Sequence, residues 1–200
     1  VAEYMIVPLK KCLSDDNAYV RKTAALAVTK LYETIPESVE NSDLLNILLK
    51  LLNDENPMVV SNTAAALLEI NGHRTTPFFV FNQATISPIL SATTQCSEWV
   101  LISLLDSISH YQPPTPEESS FLIDRLIPLM KHSNPAVVVT TFRCIYIFMD
   151  ESKRDYTDIL TQVLPPFITL VSSEDPEIAY VVLRCLSLFV KKYPKSLSKD

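Results

Sequence analysis

The sequence predicts an all-α protein, an α-solenoid of about five helical hairpins wound as a right-handed superhelix, and three observations carry that prediction. Five segments align on Ala18, Pro57, Glu98, Pro135 and Pro176, at intervals of 39, 41, 37 and 41 residues. Within each segment the apolar residues follow one face of a helix. Each segment also opens on residue types suited to a helix N-terminus.

The register is tested position by position. Two residues after the anchors stand Val20, Val59, Val100, Val137 and Ile178, and six after them Ala24, Thr63, Leu104, Thr141 and Val182. Ten after come Val28, Leu67, Ile108, Ile145 and Leu186, and thirteen after Leu31, Ile70, Tyr111, Phe148 and Phe189. These offsets trace a single stripe of a 3.6-residue helix. Between them every repeat carries a small side chain, Ala27, Ala66, Ser107, Cys144 or Cys185, which lets a neighbouring helix approach closely. The helix starts agree. Asn56-Pro57, Asn134-Pro135 and Asp175-Pro176 put a capping side chain before a proline at the first helical position, where its missing N–H costs nothing. Asn17-Ala18 and Ser97-Glu98 are weaker forms of the same signal.

Upstream of each such helix B lies a second apolar segment, helix A: residues 5–13, 44–52, 86–94, 121–130 and 159–171. Pro8, Pro88 and Pro166 stand ten residues before their anchors and Pro128 seven before, so kinks that curve helix A around its neighbour are expected. The segmentation is a single solenoid over residues 1–200, with repeats at 1–36, 37–72, 73–113, 114–152 and 153–200, truncated at both ends. A chain that opens on Val1 is expected to have residues before it. Met5, Ile6 and Leu9 at one end and Leu186, Phe189 and Val190 at the other are expected to be uncovered, which predicts self-association.

Composition narrows function. One glycine against 14 prolines disfavours phosphate-cradling loops and β-hairpins, and Gly72 reads as a helix C-cap. A net charge of −6 disfavours nucleic acid as a partner, since phosphate binding needs clustered Lys and Arg. Local basic groups, Lys10, Lys11, Arg21 and Lys22 near one end and Lys191, Lys192, Lys195 and Lys199 at the other, read as solvated faces, with contacts to acidic partners or anionic lipid as the alternative. No apolar run reaches the ~18 to 20 residues that span a bilayer. The cysteines at 12, 96, 144 and 185 are too dispersed for a metal or redox motif and read as small hydrophobes in a reducing compartment.

No catalytic, cofactor-binding or metal-ligating residue is assigned. His73, His110 and His132 fall at loops or helix ends of different repeats, and the carboxylate pairs Asp15-Asp16, Asp54-Glu55, Glu117-Glu118, Asp150-Glu151 and Glu174-Asp175 lie in turns or helix starts, where they favour the helix dipole. The protein is therefore expected not to be an enzyme. Asp16 and Arg21 follow the aspartate and Val-Arg pattern of HEAT repeats, but the other repeats lack that arginine, so the ladder is incomplete. Trp99 is expected to line the core or a groove, with a binding hot spot as the alternative. The aromatics Phe78-Phe79-Val80-Phe81 are expected to fold under as a satellite cluster, with an exposed patch as the alternative.

Beyond the generic HEAT/armadillo-like pattern, residues 4–32, YMIVPLKKCLSDDNAYVRKTAALAVTKLY, resemble the N-terminal trunk of beta-adaptin, a large subunit of heterotetrameric clathrin-associated adaptor complexes. The resemblance continues through NDENPMVVSNTAAALLEI, the Cys96-Ser97-Glu98-Trp99 and Ser109-His110-Tyr111-Gln112-Pro113 stretches, and LPPFITLVSSEDPEIAYVVLRCLSLFVKKYP. It implies a non-enzymatic scaffold of a vesicle coat, acting in clathrin-dependent cargo sorting. It implies as partners a medium (mu) subunit, a second large subunit and a sigma subunit. An Arf-type GTPase, anionic lipid and clathrin would engage regions outside this segment. It implies a cytoplasmic protein, peripheral on the cytosolic face of coated Golgi, endosomal or plasma membranes. The Phe78–Phe81 aromatics and the Pro113-Pro114-Thr115-Pro116 loop depart from the animal-type pattern and leave the branch open. The competing reading is a HEAT-repeat nuclear transport receptor or phosphatase scaffold that binds peptide or protein partners.

Overall fold

Helices account for all the regular structure in the computed structural model, which describes residues 2–150, 152 and 156–193; no strand occurs among them. Eleven α-helices follow in order: α1 (Ile6–Leu13), α2 (Ala18–Thr34), α3 (Pro36–Glu40), α4 (Leu44–Leu51), α5 (Pro57–Gly72), α6 (Gln83–Ala92), α7 (Glu98–Ile108), α8 (Pro116–Leu126), α9 (Pro135–Met149), α10 (Tyr156–Thr169) and α11 (Pro176–Lys192). The chain divides into two compact units, Val1–Gln112 and Pro113–Asp200. Val1, Glu151, Lys195 and Lys199, named in the sequence reading, lie outside the described residues.

All five B helices begin on the aligned anchors. The reason is local. The side chains of Asn17, Asn56, Asn134 and Asp175 accept from the N–H two residues on, at 2.9 Å in each case, so the first orphan donors are satisfied before any packing occurs. Asn17 is thus a full cap rather than a weak one. Ser97 makes no such bond, and α7 is the weakest start of the five.

In the first unit α2, α5 and α7 are the B helices and pack side by side, while α1, α4 and α6 supply the A layer. The small α3, between the first two hairpins, was not anticipated; five residues are too few for a period to show. In the second unit α8 and α10 pack on α9, and α11 closes on α9. Each unit fills its core from the aligned offsets: Ala24, Thr63, Leu104, Thr141 and Val182 are buried, as are Leu31, Ile70, Tyr111, Phe148 and Phe189. In the second unit Phe142 stacks on Phe167 at 4.0 Å between centroids, and Phe189 joins them at 5.8 Å from Phe142.

The prolines of helix A act in three ways. Pro8 is the third residue of α1, which continues directly from a 3-10 turn over Ala2–Met5. Pro88, Pro165 and Pro166 sit inside α6 and α10. Pro128 falls where α8 gives way to a 3-10 turn over Ile127–Lys131, the tighter coil that follows loss of an α bond.

Gly72 differs from the expected C-cap. It is the last residue of α5, its φ is not positive, and a Cβ added there meets nothing within 4 Å. The punctuation after α5 comes from its neighbour Asn71 instead. The Asn71 side chain accepts from the N–H groups of Phe78 (2.9 Å) and Phe79 (3.2 Å) and donates to the Phe79 carbonyl. Held this way, Phe79 and Phe81 fold under as expected and meet edge to face at 4.8 Å, while Val80 points to solvent.

Candidate interaction surface

The HEAT-type rung expected at the first repeat is present. Arg21 of α2 reaches across to Asp54, in the turn before α5, with Nε to Oδ2 at 2.7 Å and Nη2 to Oδ1 at 2.8 Å. Its Nη1 donates to the carbonyls of Asp15 (2.8 Å) and Asp16 (3.0 Å), so one guanidinium ties the turns of two repeats. The pair is sheltered, with side chains 17% and 7% exposed. Burial pushes the Asp54 carboxyl up, but bonds from Arg21 and the Asn56 N–H, with the Arg21 charge, outweigh it and hold the pKa below the usual range. The sequence named Asp16 as the acid of this pattern; its backbone carbonyl takes part, and the carboxylate that pairs is Asp54, 33 residues from Arg21.

A second regularity went unread in the sequence. Three residues before four of the five anchors stands an acceptor for the N–H of the capping residue. Asp15 serves Asn17 (2.9 Å), Asp54 serves Asn56 (2.8 Å), the His132 Nδ1 serves Asn134 (3.0 Å) and the Ser173 hydroxyl serves Asp175 (3.3 Å). His132 is therefore a turn-closing histidine, in keeping with its expected structural role.

Polar side chains also brace the far ends of the first two B helices. The Tyr32 hydroxyl donates to Glu40 at 2.6 Å, and Arg74 bonds both Glu40 and the Tyr32 oxygen. Nearby, Lys30 bonds Glu33 at 2.8 Å and Glu69 at 3.2 Å, and His73 Nε2 lies 3.7 Å from Glu33. Glu33, Glu69 and His73 bring three potential ligand atoms within 4.8 Å of one another. The Lys30 ammonium already supplies the cation there, which makes the group an exposed ion-pair network rather than a metal centre.

The other chemistry-bearing residues are dispersed. His110 bonds its own helix at the Asp106 carbonyl, at 2.8 Å. Glu117 and Glu118 occupy the first turn of α8, and Asp175 caps α11. Asp150 takes Lys192 and the Tyr193 hydroxyl (2.6 Å), and Lys192 also lies over the Tyr146 ring at 4.7 Å. Burial, reinforced by Asp150, pushes the Tyr193 phenol up. All four cysteines are thiols; burial pushes those of Cys96 and Cys185 up, the opposite of what a nucleophile needs.

What this molecule offers outward is apolar side chains on helices. Trp99, expected in the core or a groove, is 81% exposed at the start of α7, so the hot-spot alternative is the one its position fits. Tyr19 and Met58 stand at the same repeat offset on α2 and α5, which places an exposed tyrosine, a half-buried methionine and an exposed tryptophan at successive B-helix starts. The terminal faces differ from expectation in detail. Leu9 and Phe189 are buried, whereas Tyr4, Val7, Tyr180, Leu183 and Leu188 are exposed.

Hairpins stacked B helix against B helix, with exposed apolar faces and no convergent catalytic group among the described residues, define a helical-repeat scaffold class. Two designed armadillo repeat proteins share the fold. One has a TM-score of 0.56 and 21% identity over 91% of this chain and 81% of its own; the other, solved with the peptide (KR)4, has a TM-score of 0.55 and 19% identity over 92% and 81%. Residues 1–149 match the model described as Cnd1, non-SMC mitotic condensation complex subunit 1, and by the breadth of that match the chain belongs to that repeat family. Relatives matched over the chain's length bear out the beta-adaptin resemblance. AP-1 complex subunit beta-1 of Mus musculus is 38% identical over 100% of this chain, AP-1 complex subunit beta-1 of Saccharomyces cerevisiae 32% over 100%, and AP-2 complex subunit beta of Schizosaccharomyces pombe 31% over 96%. The chain spans 22%, 28% and 29% of those proteins' lengths. The two descriptions name different assemblies. The relatives weigh more for the particular assembly, because their identity runs through the fifth repeat, beyond residue 149 where the model match stops.

Proposed function

We propose that this chain is a non-enzymatic scaffold segment, from the trunk of an adaptor-complex beta subunit, acting in vesicle-mediated transport and clathrin-dependent cargo sorting. The observation that carries the reading is the match of 38% identity along the full chain to an AP-1 beta subunit, in a structure whose repeated register is a packing register. Its partners on this reading are a mu subunit, a second large subunit and a sigma subunit, held by helix faces rather than by a pocket. Arf-type GTPase, anionic lipid and clathrin belong to other parts of the longer protein. No helix among the described residues is long and apolar enough to cross a membrane. On this reading the protein sits peripherally on the cytosolic face of coated membranes, held through those partners. The net charge of −6 weighs against a nucleic-acid role of the kind a condensation-complex subunit would suggest.

Affinity purification of the full-length protein tests this. Recovery of mu, sigma and a second large subunit in stoichiometric amounts is the expected result. Recovery of condensation-complex subunits, a nuclear transport GTPase or a phosphatase catalytic subunit in their place would refute the assignment.

A further inference from the structure

The Arg21 rung defines a set of places that recurs one repeat further on. Arg21 stands three residues after its anchor and bonds the carbonyls three and two residues before that anchor, Asp15 and Asp16, together with the carboxylate three before the next anchor, Asp54. In the following repeat the same places fall to Val60, Asp54, Glu55 and Gln95. All four of those residues line one cavity of about 190 Å³, between the turns that precede α5 and α7. The cavity thus occupies the place that the arginine side chain takes in the first rung.

Its acceptors suit a guanidinium. The carbonyls of Asp54 and Glu55 take no hydrogen bond from the described residues, and the exposed Glu55 carboxylate has no partner among them. The Asp54 carboxylate is spent on Arg21, so that pair is neutral and Glu55 sets the local charge. No cationic residue lines the cavity. Buried Val60 and Ala92 and half-buried Pro88 give it an apolar lining, suited to the methylene stem of a long cationic side chain. Small-molecule sites occupy roughly 300 to 1,000 Å³, so this volume fits a side chain and not a whole metabolite. The acceptors are spread over two turns, which matches the planar fork of arginine better than the point charge of lysine.

We propose that this slot takes an arginine side chain from a partner protein, its guanidinium bonding the Asp54 and Glu55 carbonyls and the Gln95 side-chain oxygen beside the Glu55 carboxylate. A second protein thereby completes a rung that the chain leaves to Val60. The inference holds whichever assembly the chain enters. Arginine is among the residues that most often anchor an interface, because one desolvated fork makes several directed bonds.

Nuclear magnetic resonance on the isotope-labelled full chain tests it, with acetyl-Ser-Ser-Arg-Ser-Ser-amide as probe. Two control peptides carry lysine or neutral citrulline in place of the arginine. The arginine peptide is expected to shift the amides of residues 53–60 and 91–97 and to bind at least about fivefold tighter than either control. Gln95→Asp restores the carboxylate of the first rung and is expected to tighten the probe severalfold, a gain that better capping of α7 alone does not produce. Val60→Arg fills the slot from within and is expected to abolish the shifts, with helicity by circular dichroism unchanged. If that variant does not fold, Glu55→Lys, a change at an exposed turn position, is expected to abolish them on its own. Equal binding of all three peptides would overturn the proposal. So would a probe that leaves both turns unshifted, or a Glu55→Lys variant that binds it as wild type does.

Discussion

Arg21 is the residue whose removal reports most directly on how these repeats are joined. Methionine in its place leaves the sheltered Asp54 carboxylate with a single backbone donor, and the expected cost is ~1.5 to 3 kcal/mol, the range for hydrogen bonds to charged groups, read by urea denaturation at pH 7. The same pair makes stability acid-sensitive in a stated direction. Asp54 titrates below its unfolded value in the folded chain, so its contribution is fully present above ~3.9 and is lost as pH falls through that value toward the folded pKa. Asp54→Asn should flatten that part of the pH profile; an unchanged acid slope would show that other carboxylates dominate. Gly72 gives a change of opposite sign. Its φ is not positive and space is open around it, so Gly72→Ala is expected to stabilise by ~0.5 to 1 kcal/mol, visible as a raised thermal midpoint.

At the scale of elements, the helix starts were legible because their chemistry is local: an acceptor, a proline and an apolar stripe lie within a few residues of one another. The third repeat is the exception, with Gln95 and Ser97 where its neighbours have a turn acceptor and a bonded cap. Installing Asp at 95 and Asn at 97 is expected to stabilise α7 by ~1 kcal/mol, whereas Asn56→Ala at the well-capped α5 should cost about as much, both by chemical denaturation. Asn71→Ala should free the segment around Phe79 and raise its amide exchange well before global unfolding, because three bonds from one side chain pin it. Little of the surface could be read in the same way. Asp54 pairs with a residue 33 positions away, and Glu33 meets His73 across two helices, separations that carry no periodic mark. Trp99 neighbours Val100 of the aligned stripe, which is half-buried, but adjacent residues on a helix point about 100° apart, and the tryptophan takes the wet side.

For the whole molecule, the balance of exposed apolar side chains governs behaviour in solution. Tyr4, Val7, Trp99, Tyr180 and Leu183 all face solvent, and concentration-dependent association by light scattering is expected. Replacing Tyr180 and Leu183 by glutamate should reduce it without loss of stability beyond ~0.5 kcal/mol, the usual range for surface changes. A wild-type chain that stays monomeric at millimolar concentration would contradict this. The turn before four of the five B helices bears on how such chains drift apart. Two carboxylates, an imidazole and a hydroxyl close the same corner on the same N–H group, so what is handed from repeat to repeat there is a lone pair at a given reach and not a letter. Hairpins can thus lose nearly all spelling in common while four of the five joints shut in the same way, and a search that scores letters will see fewer repeats than the chain contains.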